Sequence, residues 1–263
     1  MNTVAAPYRW REYLIEAALL GTFMVSALGV TALLQYSGSP FRHMLPNAML
    51  RRSLIGVAMG LTAAAIIYSP WGRRSGAHIN PSVTLTYLRL HKITRRDAAC
   101  YVAAQFLGAI VGLMAAAAVL GGIAGSPEVN YVATVPGPAG VSAAFAAELV
   151  ISFGMMGMIL VVSNTPRWSR LTGMLAACLV AVYISVEAPI SGMSMNPARS
   201  FAPAAAGGSL HVLWVYVVAP LAGMLGAAEI YVRRYGHAAV RCAKLHHGGP
   251  GACHFHCHFS YDR

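Results

Sequence analysis

The sequence has few charged residues: Asp, Glu, Lys and Arg together make up 10% of its 263 residues, and only 8 are acidic. A soluble globular domain carries about 25% charged residues, so this composition excludes an ordinary soluble protein. The scarcity of charge also excludes a disordered chain or a coiled coil, because both need many polar side chains. Hydrophobic residues make up 57%, and the mean hydropathy is +0.58. These values predict an integral membrane protein.

The net charge of +11 does not point to nucleic acid as a partner. The basic residues lie in short clusters between long apolar runs, which is typical of membrane topology rather than of a DNA-binding face. The five cysteines are odd in number, and Cys100 and Cys178 lie inside apolar runs. The sequence therefore predicts no disulfide framework.

Six apolar stretches are long enough, or nearly so, to cross about 30 Å of hydrocarbon, which takes about 20 helical residues. They extend over about Tyr13 to Leu34, Ser53 to Ser69, Ala98 to Gly121, Val141 to Ser163, Leu171 to Pro189 and His211 to Val232. Two segments that are too short to cross, about Pro81 to Leu90 and Pro197 to Ala206, begin at a proline, which suits a first helical turn. The predicted fold class is an all-α membrane protein with six transmembrane helices and two re-entrant half-helices.

The distribution of basic residues predicts the orientation in the membrane. With six crossings, the outer loops contain only Arg42, Arg51 and Arg52; apart from Arg199, every other Lys and Arg lies on the side of the termini. Because cytoplasmic loops carry the excess of Lys and Arg, both termini are predicted to be cytoplasmic, in a multi-pass protein of the plasma membrane. The first apolar run is interpreted as a retained span rather than a cleaved signal peptide.

The same sequence motif precedes both short segments. Residues 75–82 read S-G-A-H-I-N-P-S, and residues 191–198 read S-G-M-S-M-N-P-A. Three spans separate the two copies, so the second copy is inverted, as in membrane proteins whose key site lies near the midplane. The predicted regions are an N-terminus at 1–12, a channel domain at 13–232 with repeats at about 13–121 and 141–232, and a tail at 233–263.

Backbone hydrogen bonding explains the Asn-Pro pairs. A chain that stops halfway through a membrane leaves N–H and C=O groups unpaired unless they face water or protein. Asparagine is a good N-cap and proline fits the first helical position, so Asn80-Pro81 and Asn196-Pro197 each start a half-helix. The positive helix ends then face each other, and both asparagine amides donate into a lumen. Cations and protons meet a barrier there, whereas a neutral hydrogen-bonding solute does not.

With this double motif the chain resembles the aquaporin and glycerol-facilitator family, the major intrinsic proteins. The resemblance covers about Tyr13 to Val232. It implies a passive channel in the lipid bilayer for water or small neutral solutes, with no cofactor, assembled as a homotetramer with one pore per subunit. The two pore boxes are Asn80, Pro81 and Ser82, and Asn196, Pro197 and Ala198.

The resemblance also implies a second constriction, a selectivity filter of four positions. Counted from the second box, Arg199 matches the filter arginine, and Met193 takes the third filter position. Ile184 falls on the fifth-helix position. The second-helix position is Met59 or Gly60, because the loop that follows is one residue longer than is usual in the family.

The filter and its neighbours favour different solutes. Water-specific members of the family narrow the filter with an aromatic residue and a histidine, both absent here. Ile184 and Met193 beside one arginine instead favour glycerol-like molecules. Ser200 and Ala204 are the residues that water channels carry, and Ser82 occurs in some relatives that pass metalloid hydroxides. The sequence leaves these three solute classes open.

Glu148 is predicted to brace the second re-entrant loop. It precedes Ser152-Phe153 by four residues and matches the family pattern E-x-x-x-[ST]-F, in which the carboxylate holds the loop backbone. In the first repeat the similar motif is Gly21-Thr22-Phe23. It puts Ala18 at the position that Glu148 has in the second repeat and leaves Glu16 two residues away. The pattern therefore gives the first repeat no clear brace.

The tail departs from the family pattern by its density of imidazoles and thiols. Such ligands suit zinc, copper or nickel, and the alternative is a disordered segment with adventitious metal affinity. A metal bound specifically at the cytoplasmic mouth would gate or anchor the channel. The candidate ligands are His246, His247, Cys253, His254, His256, Cys257 and His258.

Two other functional classes fit the sequence less well. An enzyme is not predicted, because the spans offer no set of nucleophile, base and orienting residue. An ion-coupled secondary transporter is a remote alternative, because such proteins share inverted repeats and broken helices. Coupling would need an ionisable pair along the path, where the sequence places only Arg199.

Overall fold

In a computed structural model of the chain, the described residues are 8–247, 253–255 and 257–258. Six of their helices are long and apolar enough to cross a membrane, which confirms the predicted fold class. Short helices at Pro40–Met44, Pro70–Ser75 and Ala188–Ser191 lie in the connections. The main helices are α1 (Trp10–Gln35), α2 (Ala48–Tyr68), α3 (Pro81–Arg89), α4 (Arg95–Leu120), α5 (Gly140–Ser163), α6 (Thr172–Val186), α7 (Pro197–Gly207) and α8 (Leu213–Tyr235).

The start of α2 differs most from the predicted spans. It begins at Ala48 rather than near Ser53. The side chain of Asn47 accepts a hydrogen bond from the backbone N–H of Leu50 at 3.0 Å, which caps the helix early. The Arg51 guanidinium donates to the backbone carbonyl oxygens of Leu45 and Pro46 in the preceding loop. These bonds supply partners for a charged side chain in the first turn of the helix.

Close helix pairs of the same kind occur in both repeats: α1 packs on α4, and α5 packs on α8. A Cβ atom placed on Gly108 would lie 2.1 Å from the carbonyl oxygen of Ala17. On Gly223 it would lie 2.3 Å from the carbonyl oxygen of Leu149. These contacts need glycine, because any side chain would push the helices apart.

The two half-helices, α3 and α7, lie among the six long helices. Both pack against α4 and α8, and they contact each other at their N-terminal ends. The chain before each half-helix is irregular rather than helical. The fold therefore brings the two S-G-x-x-x-N-P segments together at one place between the repeats.

Candidate functional site

The Asn-Pro boxes cap the half-helices as the sequence predicts. Asn80 has extended backbone angles, and its side-chain oxygen accepts the N–H of Ser82 at 2.8 Å. Pro81 takes the first helical position, where no N–H partner is needed. The second box repeats the arrangement with Asn196, Pro197 and Ala198.

The two asparagines also bond across the repeat boundary. The Asn80 Nδ2 atom donates to the carbonyl oxygen of Met195 at 2.7 Å, and Asn196 Nδ2 donates to that of Ile79 at 2.7 Å. A side-chain amide has two N–H donors, so each of these bonds uses one of them. Both asparagines line the central cavity, and donation of the second N–H of each into the lumen stays a prediction.

Glu148 holds the second re-entrant loop. One carboxylate oxygen accepts the hydroxyl of Ser191 at 2.6 Å and the N–H of Ser194 at 2.7 Å. The other accepts the N–H of Met195 at 2.7 Å. The side chain is fully buried, and its two oxygens supply the acceptors that the N–H groups of this irregular loop would otherwise lack.

Glu16 performs the same task in the first repeat, which corrects the sequence analysis. Its carboxylate accepts the hydroxyl of Ser75 at 2.7 Å and the backbone N–H groups of His78 at 3.1 Å and Ile79 at 2.7 Å. The side chain of Gln105 donates to it at 3.0 Å. The first repeat thus has a brace with one more donor than the second.

Aligning the two repeats on the Gly-Thr-Phe motif puts them in the wrong register. Thr22 and Ala18 lie on the exposed face of α1, whereas Glu16 and Leu20 are buried. The residue four positions after Glu16 is therefore an apolar Leu20, where the second repeat has the buried Ser152. A pattern that demands Ser or Thr at that position cannot find the first brace.

Left-handed backbone angles recur in both re-entrant loops. Ala77 and Ile79 have φ of 54° and 41°, and their equivalents Met193 and Met195 have φ of 52° and 56°. Each costs about 1–2 kcal/mol for a residue with a Cβ atom. The braces hold these loops in place, and the loop residues line the central cavity.

The cavity between the repeats has a volume of about 440 Å³. Met59 lines it, whereas Gly60 faces α6, where a Cβ atom would lie 2.5 Å from the carbonyl oxygen of Ala177. Of the two candidates for the second-helix filter position, Met59 is thus the one that faces the lumen. The residues that α2 contributes to the lining, at helical spacing, are Arg52, Ile55, Met59, Ala63 and Ile67.

The remaining filter candidates, Ile184, Met193 and Arg199, also line the cavity. The Arg199 guanidinium donates to the carbonyl oxygen of Val132 at 2.8 Å. Residues 130–132 all have positive φ, between 41° and 55°, in the loop that presents this carbonyl. The bond fixes the arginine at the lumen wall and leaves other guanidinium N–H groups for a solute.

Three residues that suggested a solute class lie away from the lumen. Ser82, Ser200 and Ala204 are buried and are not among the described residues that line the cavity. Ser200 bonds to the hydroxyls of Thr134 at 2.7 Å and Ser194 at 2.5 Å. Ser200 therefore joins the loops that carry Thr134 and Ser194.

The expectation that Arg199 is the only ionisable residue along the path is wrong. Arg52 and Glu128 also line the outer part of the cavity, and His78 lines the opposite end. Glu128 pairs with Arg42 at 3.7 Å, and Arg52 donates to the carbonyl oxygen of Ser185 at 2.7 Å.

The structure separates the predicted tail ligands into two groups. His247, Cys253 and Cys257 lie near Cys242, a residue that the sequence analysis omitted from the cluster. His246 packs against the ring of Tyr68, and the backbone of His258 bonds to Arg241. His254 bonds to the Tyr101 hydroxyl at 3.0 Å, and His256 lies outside the described residues.

Two opposed half-helices, two loop braces and a lined central cavity define a membrane channel. Comparison with known proteins agrees with this class. The major intrinsic protein profile matches residues 3–231. The chain therefore belongs to the major intrinsic protein family, which is a family of channels rather than enzymes. It is an integral multi-pass membrane protein and a channel for water and small solutes.

Relatives and a solved structure show how far the likeness extends. The chain is 34% identical to aquaporin NIP1-1 of Oryza sativa subsp. japonica over 218 residues, 82% of this chain and 72% of the relative. It is 34% identical to aquaporin NIP6-1 of Arabidopsis thaliana over 182 residues, 68% of this chain and 57% of the relative. The aquaglyceroporin structure from Plasmodium falciparum matches with a TM-score of 0.69 at 20% identity, covering 84% of this chain and 95% of that one. This last match supports the fold alone.

Proposed function

We propose that the channel conducts small uncharged solutes that have an alkyl side and a hydroxyl side, such as glycerol, and that water also passes. The observation that supports this most is the filter wall. Met59, Ile184 and Met193 are apolar, and Arg199 is the hydrogen-bond donor beside them. The names of the relatives, aquaporins and an aquaglyceroporin, are compatible with either permeant.

The filter favours amphipathic solutes for an energetic reason. An apolar wall cannot replace the hydrogen bonds that a water molecule or an ion leaves behind in bulk solvent. The alkyl side of glycerol packs against Ile184 and Met193 without that cost. Its hydroxyl groups bond to Arg199 and, further along, to the free N–H groups of Asn80 and Asn196.

Ions are excluded by fixed positive potential. The N-termini of α3 and α7 meet at the paired asparagines, and each carries the equivalent of about half a positive charge. Arg199 adds a full charge on the same path. A cation or a hydrated proton therefore meets a barrier, and no chemical turnover is needed for passage.

The proposal also includes the orientation of the channel, its host membrane and its oligomeric state. Both termini lie in the cytoplasm, the host is the plasma membrane, and four copies form a homotetramer with lipid around it. The charge distribution of the loops supports the orientation. Large apolar residues exposed on the helices, such as Leu107, Val111 and Val150, suit contact with lipid or neighbouring subunits.

Stopped-flow light scattering on proteoliposomes tests the proposal. Rapid re-swelling in glycerol, with flux linear in the gradient and independent of ion gradients, would support it. Saturable uptake that needs an ion gradient would favour a secondary transporter instead. Boric acid and urea in parallel runs separate a metalloid preference from a polyol preference, and shrinkage without re-swelling in any solute would mean a pore for water.

A further inference from the structure

The described part of the tail covers one end of the cavity, lined by Ala77 and His78, which we call the inner mouth. Leu245 lines the cavity there, and its backbone N–H donates to the carbonyl oxygen of Gly76 at 3.2 Å. The ring of Phe255 stacks on His78, with centroids 5.3 Å apart and planes 18° apart. Leu245 and Phe255 are 4% and 5% exposed. The tail is thus packed as part of the channel wall.

The tail also bonds directly to a lumen residue. The Nε2 atom of His78 lies 2.9 Å from the carbonyl oxygen of Ala243, which is fully buried. The other ring nitrogen lies 3.1 Å from the hydroxyl of Thr84. A side chain of the re-entrant loop is therefore held between a half-helix and the tail.

Three potential metal ligands come together beside this cover, and a fourth, Cys253, lies next to one of them. The ligand atoms of Cys242, His247 and Cys257 all lie within 4.8 Å of one another. The Sγ atoms of Cys242 and Cys253 are 3.5 Å apart, and Cys257 Sγ lies 3.9 Å from His247 Nε2. The ligands come from two tail segments, 242–247 and 253–257.

These separations suit zinc. A tetrahedral site with Zn–S bonds of about 2.3 Å has ligand atoms about 3.8 Å apart. Three thiolates and one imidazole form a closed structural set, and soft sulfur ligands in tetrahedral geometry favour zinc over harder cations. The backbone N–H groups of Lys244 and Phe255 donate to the sulfurs of Cys242 and Cys253.

We propose that Cys242, His247, Cys253 and Cys257 bind one zinc ion, which holds the tail across the inner mouth and restricts flux. The ion links the two tail segments, so its binding free energy adds to the stability of the covered state. Loss of the ion leaves the tail held only by its contacts with the rest of the channel, such as those at His78, Gly76, Tyr68 and Tyr101. Zinc binding does not depend on which solute passes, whereas the restriction of flux rests on the proposed conduction through this cavity.

Metal content tests the site itself. Full-length protein, purified under reducing conditions and equilibrated with Zn²⁺, is expected to retain one zinc ion per chain by mass spectrometry of the metal. Substitutions C242S and C257S should weaken zinc affinity by about 100-fold or more, since even outer partners of metal ligands are worth 10–100-fold. C178S, at an exposed cysteine on α6, and H246A, at a tail histidine outside the cluster, should retain the ion.

Flux tests the consequence. Protein stripped of zinc by a chelator before reconstitution should conduct glycerol about fivefold faster or more than the reloaded protein, a change within the usual range of coupling between two sites. C242S should conduct at the stripped rate with or without Zn²⁺, and H246A should respond like the unmodified chain. A tail-shortened variant that ends after Tyr235 should match the stripped rate.

Four results would overturn the inference or part of it. Retention of zinc by C242S and C257S, or absence of bound zinc from the unmodified chain, would refute the site. A Cys242–Cys253 disulfide, found by mass spectrometry in protein kept reduced, would do the same. Equal flux from stripped and reloaded protein that does bind zinc would refute the restriction while leaving conduction intact.

Discussion

The Nδ2 atom of Asn80 lies 2.7 Å from the carbonyl oxygen of Met195, so a capping residue of one repeat holds the re-entrant loop of the other. Asn196 returns the bond to the first repeat through the carbonyl oxygen of Ile79. The two half-helices therefore depend on each other for position. Each asparagine serves at once as a helix cap and a cross-link between repeats, and the proposed function gives it a third role as a lumen donor.

Replacing Asn80 with leucine should remove all three roles. Loss of the cap costs about 1 kcal/mol, and the freed carbonyl of Met195 adds to the loss. Glycerol flux per folded channel should fall sharply, measured by stopped-flow after quantifying reconstituted protein. Asn47→Leu is the matched control, because Asn47 caps α2 in an exposed loop. Equal flux from the two variants would contradict the lumen role.

The Glu16 brace should matter for stability as much as the Glu148 brace does. Glu16→Gln replaces an accepting oxygen with an amide that cannot accept, so at least one buried donor loses its partner at about 1–3 kcal/mol. The midpoint of thermal unfolding should drop by a similar amount for Glu16→Gln and Glu148→Gln. Glu229→Gln, at a side chain 41% exposed, should leave it unchanged. A stable Glu16→Gln variant would refute the first brace.

Arg199 should contribute both to solute selectivity at the filter and to the barrier against cations. Arg199→Val removes the charge and the bond to Val132, which widens the lumen and lowers the positive potential. Passage of urea and leakage of K⁺ should both increase, measured by re-swelling and by an ion flux assay on the same vesicles. Arg233→Val, at an exposed side chain, is the control. Unchanged selectivity in Arg199→Val would contradict the assignment.

Glu187, just after α6, should make stability depend on pH. Burial raises its pKa to about 7, the nearby Glu148 adds to the shift, and Tyr216 and Ser191 are the other polar groups near it. Neither carboxylate oxygen has a hydrogen-bond partner among the described residues. Because the folded pKa lies above the unfolded value of about 4.3, stability is retained below pH 4.3 and lost as pH rises towards 7.

Glu187→Gln should abolish this dependence. The variant should unfold at a higher temperature than the unmodified chain at pH 8 and at a similar temperature at pH 4.5, measured by scanning fluorimetry in detergent. Glu229→Gln again serves as the control. A pH profile that is the same with and without the Glu187 carboxyl would show that folding does not raise the pKa of this group.

The sequence predicted the parts of the fold that follow from local chemistry. Apolar length gave the six spans, and the Asn-Pro pairs gave both half-helix starts. It did not predict that Glu16 braces the first re-entrant loop. The register of α1 is set by the face that packs against Gly108 and not by the Gly-Thr-Phe motif. It did not include Cys242 with the tail ligands, because that proximity arises only when the tail folds back on His78.

The side-chain directions of the filter region also needed the structure. Met59 and Gly60 are adjacent in sequence and differ only in which one faces the lumen. Ser200 is next to Arg199, yet it turns away to bond with Thr134. Residue identity alone cannot show such orientation, because neighbouring residues on a helix point about 100° apart.

The most direct test of the account is to rebuild the filter and measure the ratio of glycerol to water permeability. The double substitution Met59→Phe with Ile184→His narrows the lumen and replaces apolar wall with a polar ring. In stopped-flow on proteoliposomes, glycerol re-swelling should fall by about tenfold or more while osmotic shrinkage persists, since about 1.4 kcal/mol of added barrier suffices. Val182→Phe, at a position 52% exposed on α6, should change neither rate. A double variant that still passes glycerol at the original rate would contradict the claim that these residues select the solute.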